Sequence, residues 1–597
     1  MKNIIFLLVD SVYSACLGKG RTEVSSTPFI DSLVDNSVYA DSVYSYGPYT
    51  DAATRGLLCG TPSLNDYGYF YGMNSPNENH FKTFHDSGYE TIGLYYPYYL
   101  VGSKVRQYID TSVFIGGFVY KSEWNGKFVY YAERQKENLL TEIDYQLLYK
   151  HLDLMFDCWL FFYREMERNE LSGFLARDFA DKNSLKVCRQ KLEEEIYRYK
   201  QDRKAYTDDV LRLGMEHPLA FVDCFCFDNA ISTAFINKVY ADHKKFFRRV
   251  SQVEFWSNLR NNRISLKKAL KSKRYLVNYG CCLLANRYMR SLSVKPEWQY
   301  SSSMYKQILA TMEALDGRSN TEKPFYAYLH VEEPHNYIAC FSYDVCDPAV
   351  IDEEIAYLMP IAEKHGKKFK GSLTYQLSLG YVDLCVKRLF AQLQSRGLLE
   401  NTTVVITSDH GSSYSFCPVR ETVVNCFYTE NYQTPLLIWN SDADDREKGI
   451  YKGLYAAEDT LPTILHCLNI PCPDQYRGMP IPSNKDGRPY VITEYMGPGV
   501  PDMRTRDVWM SIRSKEYVLA FKQPIYKQFS LENCVEVYDL QKDPMECHNI
   551  CQGFDFAQVE KLVNGVKRRF AEIQENTNVL LKNTDAITVI KEEELCE

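Results

Sequence analysis

No stretch of about 18 uncharged apolar residues occurs in the chain, so the sequence offers no membrane-spanning helix. The nearest candidate, "HLDLMFDCWLFFYREME", is interrupted by Asp153 and Asp157 and runs into Arg164. The N-terminal apolar run, Ile4 to Val9, is shorter than the hydrophobic region of a secretory signal and ends at Asp10. It reads as a buried strand that begins the fold. A basic excess is also lacking: 69 Lys and Arg face 77 Asp and Glu, for a net charge of −8, which removes the electrostatic footprint of a nucleic-acid partner. CxxC pairs are absent among the 19 cysteines, although Cys281 and Cys282 are adjacent and Cys224 and Cys226 are one residue apart. That spacing argues against a structural zinc site. With no export signal, the cysteines are expected to be reduced thiols and the protein cytoplasmic. Internal repeats are lacking too.

What is present is a chain of 597 residues, 45% hydrophobic and 24% charged, long enough for a large core and more than one unit. Tyrosine is over-used, with 47 copies; aromatic surfaces suit sugar rings, but tyrosine equally fills cores and interfaces. From residue 1 to about 124, strand-like runs ("NIIFLLVD", "YETIGLYY") alternate with a helix opening at Thr27-Pro28, a βαβ rhythm that implies a mainly parallel sheet covered by helices. Residues 125–300 change character, with apolar positions at three- and four-residue spacing between charges, and read as a long helical insertion. The sheet rhythm resumes over 301–485 with "KPFYAYLHVEEPH", "TTVVITSDHGSS" and "TPLLIWNSD". Residues 486–560 carry shorter strands expected to form a small second sheet, and 561–597 a terminal helix with a polar tail.

Ligands of parallel α/β sheets sit beyond the carboxyl ends of strands. Asp10 ends the first strand, Asp409 and His410 end "TTVVITSD", and His335 follows "FYAYLHV". Carboxylates with an imidazole make a site for a divalent metal. A threonine hydroxyl is a poor nucleophile unless a metal or base activates it, so Thr50 in "PYTDAATRGLLCG" needs such a cluster beside it. His330, inside a strand, reads as structural rather than as a ligand.

The chain outside the insertion resembles the sulfatase branch of the alkaline-phosphatase superfamily. The residues that carry this are "NIIFLLVDSVYSACLG" followed by "TPFIDSLVDNS", then "TSDHG", then "TPLLIWNSD" with "EDTLPTILHCLNIPCPDQYRGMPI", and finally "VEVYDLQKDPMECHNI". The resemblance implies an alkaline-phosphatase-like α/β fold, with a mainly parallel sheet between helices and a small C-terminal sheet subdomain. A sulfatase carries "CxPSRxxLLTG" where this chain has "PYTDAATRGLLCG", and aligning the two places Thr50 at the residue that becomes formylglycine. Threonine cannot become formylglycine. The proline and arginine positions of that motif hold Ala52 and Thr54, with Arg55 adjacent; Ser11 follows Asp10 where sulfatases have a second aspartate; and the "GKWH" cations are replaced by tyrosines.

The pattern is similar to threonine-nucleophile members such as phosphoethanolamine and phosphoglycerol transferases, lipoteichoic-acid synthases and nucleotide pyrophosphatases. By that resemblance Asp10, Thr50, Asp409 and His410 hold one divalent ion, zinc or manganese before calcium or magnesium. His335 protonates the leaving group or binds the transferred group, and Arg55 and Arg420 bind the substrate anion. The expected reaction is cleavage or transfer of a phosphoryl-type group on a small molecule or glycan. Sulfuric ester hydrolysis is the alternative, and a non-catalytic binding protein of the same fold is the second. No nucleic acid is expected as partner; peripheral membrane contact is compatible with the chain.

Overall fold

A computed structural model gives the fold. It describes residues 1–17, 24–65, 78–94, 107–113, 131–142, 182–218, 238–260, 303–335, 341–368, 372–412, 427–496 and 507–582, with single residues and short pieces between 105 and 235. Arg420 lies outside the described residues.

The main sheet is built from β1 (Asn3–Val9), β2 (Ser37–Tyr44), β3 (Glu90–Leu94), β4 (Thr111–Val113), β5 (Phe325–Val331), β6 (Thr402–Thr407), β7 (Gln433–Trp439), β8 (Gly449–Tyr451) and β9 (Tyr455–Ala456). Its order is β4-β3-β5-β1-β6-β7-β2-β8, with β9 also on β2. β1 is parallel to both β5 and β6, and β3 to β4 and β5. Only β7 runs against its neighbours. The fold is therefore α/β with a mainly parallel sheet.

The apolar run of β1 explains its central place. Ile4, Phe6 and Leu8 enter one core cluster, while Ile5, Leu7 and Val9 enter the cluster on the opposite face. A strand covered by helices on both sides has no polar face to present, so its sequence reads as continuous rather than alternating. The helix at Thr27-Pro28 spans Pro28–Leu33, and the buried Asp383 carboxylate accepts from the N–H groups of Phe29 (3.0 Å) and Ile30 (2.7 Å), satisfying donors that a helix start leaves orphaned. Asp383 stands on the long, almost wholly buried helix Leu373–Ser395 that covers this face.

The insertion contributes helices Lys182–Gln201, Arg203–Leu213 and Lys244–Arg260 to the described structure. They are not free-standing. Leu192, Tyr199, Tyr206 and Val210 join the cluster of Phe6 and Tyr326, whereas Phe246, Phe247 and Val250 join that of Leu7 and Tyr375. The charged faces expected from sequence are the outer sides of helices whose aromatic sides complete both layers.

A four-stranded antiparallel sheet follows, ordered β10-β11-β12-β13, from β10 (Val491–Tyr495), β11 (Asp507–Arg513), β12 (Tyr517–Pro524) and β13 (Cys534–Asp539). The stretch "VWMSIRSKEYVLAF" is a hairpin, not one strand. The terminal helix Glu560–Lys582 packs on this sheet, and its Arg569 clamps Glu494 with two bonds of 2.6 and 2.7 Å. Glu494 also accepts from Leu64 N–H at 3.0 Å, which ties the second sheet to the segment after the Thr50 helix. Among the described residues no helix is long and apolar enough to cross a membrane.

Two buried histidines make stability pH-dependent. Burial pushes His80 down to about 3 and His365 down to about 4 from an ordinary 6.5. Below pH 6.5 the unfolded chain takes up protons that the folded chain refuses. Unfolding free energy should therefore rise with pH across roughly pH 4 to 6.5, by about 1.4 kcal/mol per pH unit for each histidine. Urea denaturation at pH 5.0, 6.0 and 7.0 reads this directly, and His80→Phe should flatten the slope.

Candidate active site

Three adjacent strands bring the site together. β5, β1 and β6 lie side by side, and their carboxyl ends carry His330, Asp10 and Asp409. The register pairs Leu8 with His330 and with Thr407, so at period two His330, Asp10 and Asp409 fall on the same face of the sheet. Their ligand atoms all lie within 4.8 Å of one another, and all three residues are buried. Thr50, the first residue of the helix Thr50–Cys59, meets this group from the side: its hydroxyl donates to Asp10 Oδ2 at 3.3 Å.

The cluster is wired tightly. Asp10 Oδ1 accepts from the Ser11 hydroxyl at 2.7 Å and lies 3.5 Å from His410 Nε2; Oδ2 is 3.9 Å from His330 Nε2. Asp409 Oδ1 accepts from the N–H of His410 (2.8 Å) and of Ser11 (3.3 Å). Ser11 sits at φ +62°, a left-handed conformation uncommon for a residue with a side chain, and Tyr375 fixes it by donating its hydroxyl to the Ser11 carbonyl at 2.8 Å. Serine in place of the expected second aspartate thus orients Asp10 instead of adding a ligand. Burial pushes the Asp10 carboxyl up, but the imidazoles of His335, His330 and His410 outweigh it and hold the group well below the usual carboxylate range. Asp10 is therefore an ionised carboxylate that resists protonation and is ready to bind a cation.

The residues fit a divalent ion. Asp409 Oδ2 and His410 Nε2 are buried without a hydrogen-bond partner, face each other at 3.6 Å, and open toward Asp10. Buried polar atoms normally find partners, and a pair left this way beside a second carboxylate is the donor set that zinc or manganese takes. His410 Nδ1 lies 2.8 Å from the Gly411 carbonyl, the kind of second contact that turns the other nitrogen toward a metal.

Of the sequence-predicted residues, the structure brings Asp10, Thr50, Asp409 and His410 together. His335 is exposed, with its ring 6.3 Å from that of His410 at the rim. Arg55 is fully buried on the Thr50 helix. The structural reading of His330 is corrected: it is one of the three residues whose donors converge. Its signal was available, because a histidine inside an otherwise apolar strand flanked by two strands ending in aspartate shares their face.

Carboxylates and imidazoles at adjacent strand ends of an α/β sheet make a site that fits a divalent ion. The comparisons refine this. Residues 227–470, which include β5, β6 and the Asp409-His410 turn, match the family model described as "Sulfatase". An ulvan-active sulfatase of Formosa agariphila is 23% identical over 275 residues, covering 43% of this chain and 50% of the relative. The matched region thus spans half the length of that relative. Among solved structures, a 2-O GAG sulfatase is similar at 12% identity and a TM-score of 0.48, covering 96% of this chain and 92% of its own. The phosphonate monoester hydrolase of Agrobacterium radiobacter is similar at 12% identity and a TM-score of 0.44, covering 96% of each chain. Over the matched residues the chain is similar to sulfatases, in agreement with the resemblance read from its motifs.

Two outcomes check the site. Zinc or manganese at about 100 times its dissociation constant should add about 2.7 kcal/mol of stability by mass action, read as a rise in Tm that Asp409→Asn removes. Gly411→Ala should weaken the same ion by roughly 10–100-fold in calorimetric titration. A Cβ at Gly411 would lie 2.1 Å from the Glu430 carbonyl oxygen and push the His410 turn out of place.

Proposed function

We propose that the chain is a metal-dependent hydrolase of the sulfatase type, with a sulfate ester carried on a glycan as its leading substrate. The observation that carries the hydrolase reading is the Thr50 hydroxyl bonded to the ionised, buried Asp10 within the Asp409, His410 and His330 cluster. The sulfate part is supported by the family match and by the relative's activity on ulvan.

In this reading Asp10, Asp409 and His410 would hold one divalent ion, zinc or manganese, with His330 completing the set. When bound, the ion supplies positive charge at the ester oxygens and lowers the pKa of the nucleophile. Asp10 Oδ2 orients the Thr50 hydroxyl by accepting its hydrogen bond, and the threonine oxygen attacks the sulfur or phosphorus centre as its proton passes to solvent. His335, at the rim, gives a proton to the departing alcohol. Water then cleaves the threonine ester and regenerates the hydroxyl. Arg55 and Arg420 neutralise charge on the non-bridging oxygens, where such sites place most of their stabilisation.

The second reading is phosphoryl cleavage or transfer at the same centre. It is favoured by Thr50 itself, whose β-carbon bears a methyl group and so cannot be oxidised to the aldehyde of a formylglycine. Initial rates on an aryl sulfate, an aryl phosphomonoester and a bis-aryl phosphodiester, each with zinc and with manganese, separate the two. A higher kcat/KM on the sulfate supports the leading reading; a higher value on the diester replaces it with the second. Thr50→Ala should lower kcat by roughly 10³-fold or more while the metal content stays that of the wild type. Undiminished turnover in that variant removes Thr50 as nucleophile under both readings.

A further inference from the structure

Far from the metal cluster, two cysteines in the small sheet share one hydrogen-bonded corner. Cys534 opens β13, and Cys551 ends the segment that returns beside that strand. The return is fixed by main chain and by one asparagine. Ile550 N–H donates to the Val537 carbonyl at 2.9 Å, Asn549 Nδ2 donates to the Val535 carbonyl at 2.9 Å, and Asn549 Oδ1 accepts from Val537 and Cys551 N–H, each at 3.0 Å. This brings Cys551 Sγ to 3.3 Å from the Cys534 carbonyl oxygen, which sets the two thiols side by side. Both are free and half-buried, within reach of a small solute. Cys16, Cys59, Cys385 and Cys467 are instead sealed in the core.

The two sulfurs differ in character. Contact with Cys534 holds the Cys551 thiol down at about 7, while the same contact together with burial pushes Cys534 far up. One thiol is ready to attack as a thiolate, and the other keeps its proton for the second step.

We propose that Cys534 and Cys551 form a dithiol that a low-molecular-weight disulfide, such as oxidised glutathione, converts to an intrachain disulfide. The Cys551 thiolate attacks one glutathione sulfur, forming a mixed disulfide and releasing one glutathione thiolate. Cys534 Sγ then attacks the Cys551 sulfur, its proton leaving to solvent, and the second glutathione departs. The protein loses two electrons and two protons, and one disulfide becomes two thiols. The closed loop contains Glu546, which pairs with Arg513 and accepts from the N–H and hydroxyl of Thr429 at 2.8 and 2.9 Å. Oxidation therefore staples the segment that anchors the small sheet to the main one. It does not depend on which ester the protein cleaves.

The full chain carrying Cys547→Ser is incubated with oxidised glutathione, alkylated, digested with trypsin and mass-analysed without reduction. The expected product joins Gln528–Lys542 to Asp543–Lys561 through Cys534 and Cys551, is lost on adding dithiothreitol, and raises Tm by several degrees. With Cys534→Ser added, the reaction should stop at glutathione on Cys551. A wild-type chain that accumulates the Cys551 adduct without closing, that leaves both thiols alkylated, or that forms the link only after unfolding in urea overturns the proposal.

Discussion

Everything in the site depends on holding two carboxylates, Asp10 and Asp409, side by side in a buried place. Like charges at the ends of adjacent parallel strands repel, and burial removes the water that would screen them. The structure offsets this with oriented donors and with imidazoles: Ser11 and His410 N–H groups on Asp409, the Ser11 and Thr50 hydroxyls on Asp10, and three histidines around them. These bonds occupy both oxygens of Asp10 but only Oδ1 of Asp409. What is left, Asp409 Oδ2 opposite His410 Nε2, is an unmet demand for positive charge in the middle of the cluster. That unmet demand is what fits the cluster to a divalent ion.

The scaffold serves that demand. β5, β1 and β6 are buried on both faces, so the three strand ends are held by packing from both helical layers rather than by loops. The His410 turn receives further support from outside the main sheet. Gly411 N–H donates to the Asn431 carbonyl at 2.9 Å, and Asn431 belongs to the short helix Thr429–Tyr432 whose first residue is held by Glu546 of the small sheet. Two hydrogen-bonded links and this short helix thereby connect Glu546 to the turn that carries His410. The two buried ion pairs of the C-terminal subdomain, Glu546 with Arg513 and Glu494 with Arg569, are the joints through which it lends this support. Breaking one such pair leaves a buried charge uncompensated, which costs far more than a surface bridge.

Much of this was legible in the sequence. The central strands were, because burial on both faces leaves no choice but a continuous apolar run, and Asp10 and Asp409 stood out as charges ending such runs. The alternation of period two was legible as well, yet His330, weighed as a second ligand, was read as structural. A single histidine within "FYAYLHV" looks like a satisfied core residue until the neighbouring strands, and their register, are known. The short strands Thr111–Val113 and Gly449–Tyr451 were illegible, since three residues carry no period. The hairpin of β11 and β12 was read as one piece because Ser514 to Glu516 makes its turn without glycine or proline. The helices of the insertion were readable from their spacing. That their aromatic sides complete both layers was not, because contact partners more than 100 residues away leave no local trace.

The charge of the cluster narrows the ester more than the fold does. A single divalent ion held by Asp10 and Asp409 would have its charge matched by the two carboxylates. A phosphate monoester brings two negative charges and needs a second cation or several guanidinium groups to meet them. A sulfate monoester and a phosphodiester each bring one. The proposed site is therefore matched to singly charged esters, and the two readings that compete for Thr50 agree on that point. What separates them is the nucleophile. The sulfatase motif that this chain resembles has a formylglycine, an aldehyde, where Thr50 stands. On the proposed mechanism the nucleophile is instead a threonine, which forms an ester. Its release must go through attack at the sulfur or phosphorus centre itself, the route that phosphoryl groups follow readily. If sulfate is the substrate, the slow step should lie in clearing the threonine, and the water-accessible rim around His335 becomes the part of the site on which turnover depends.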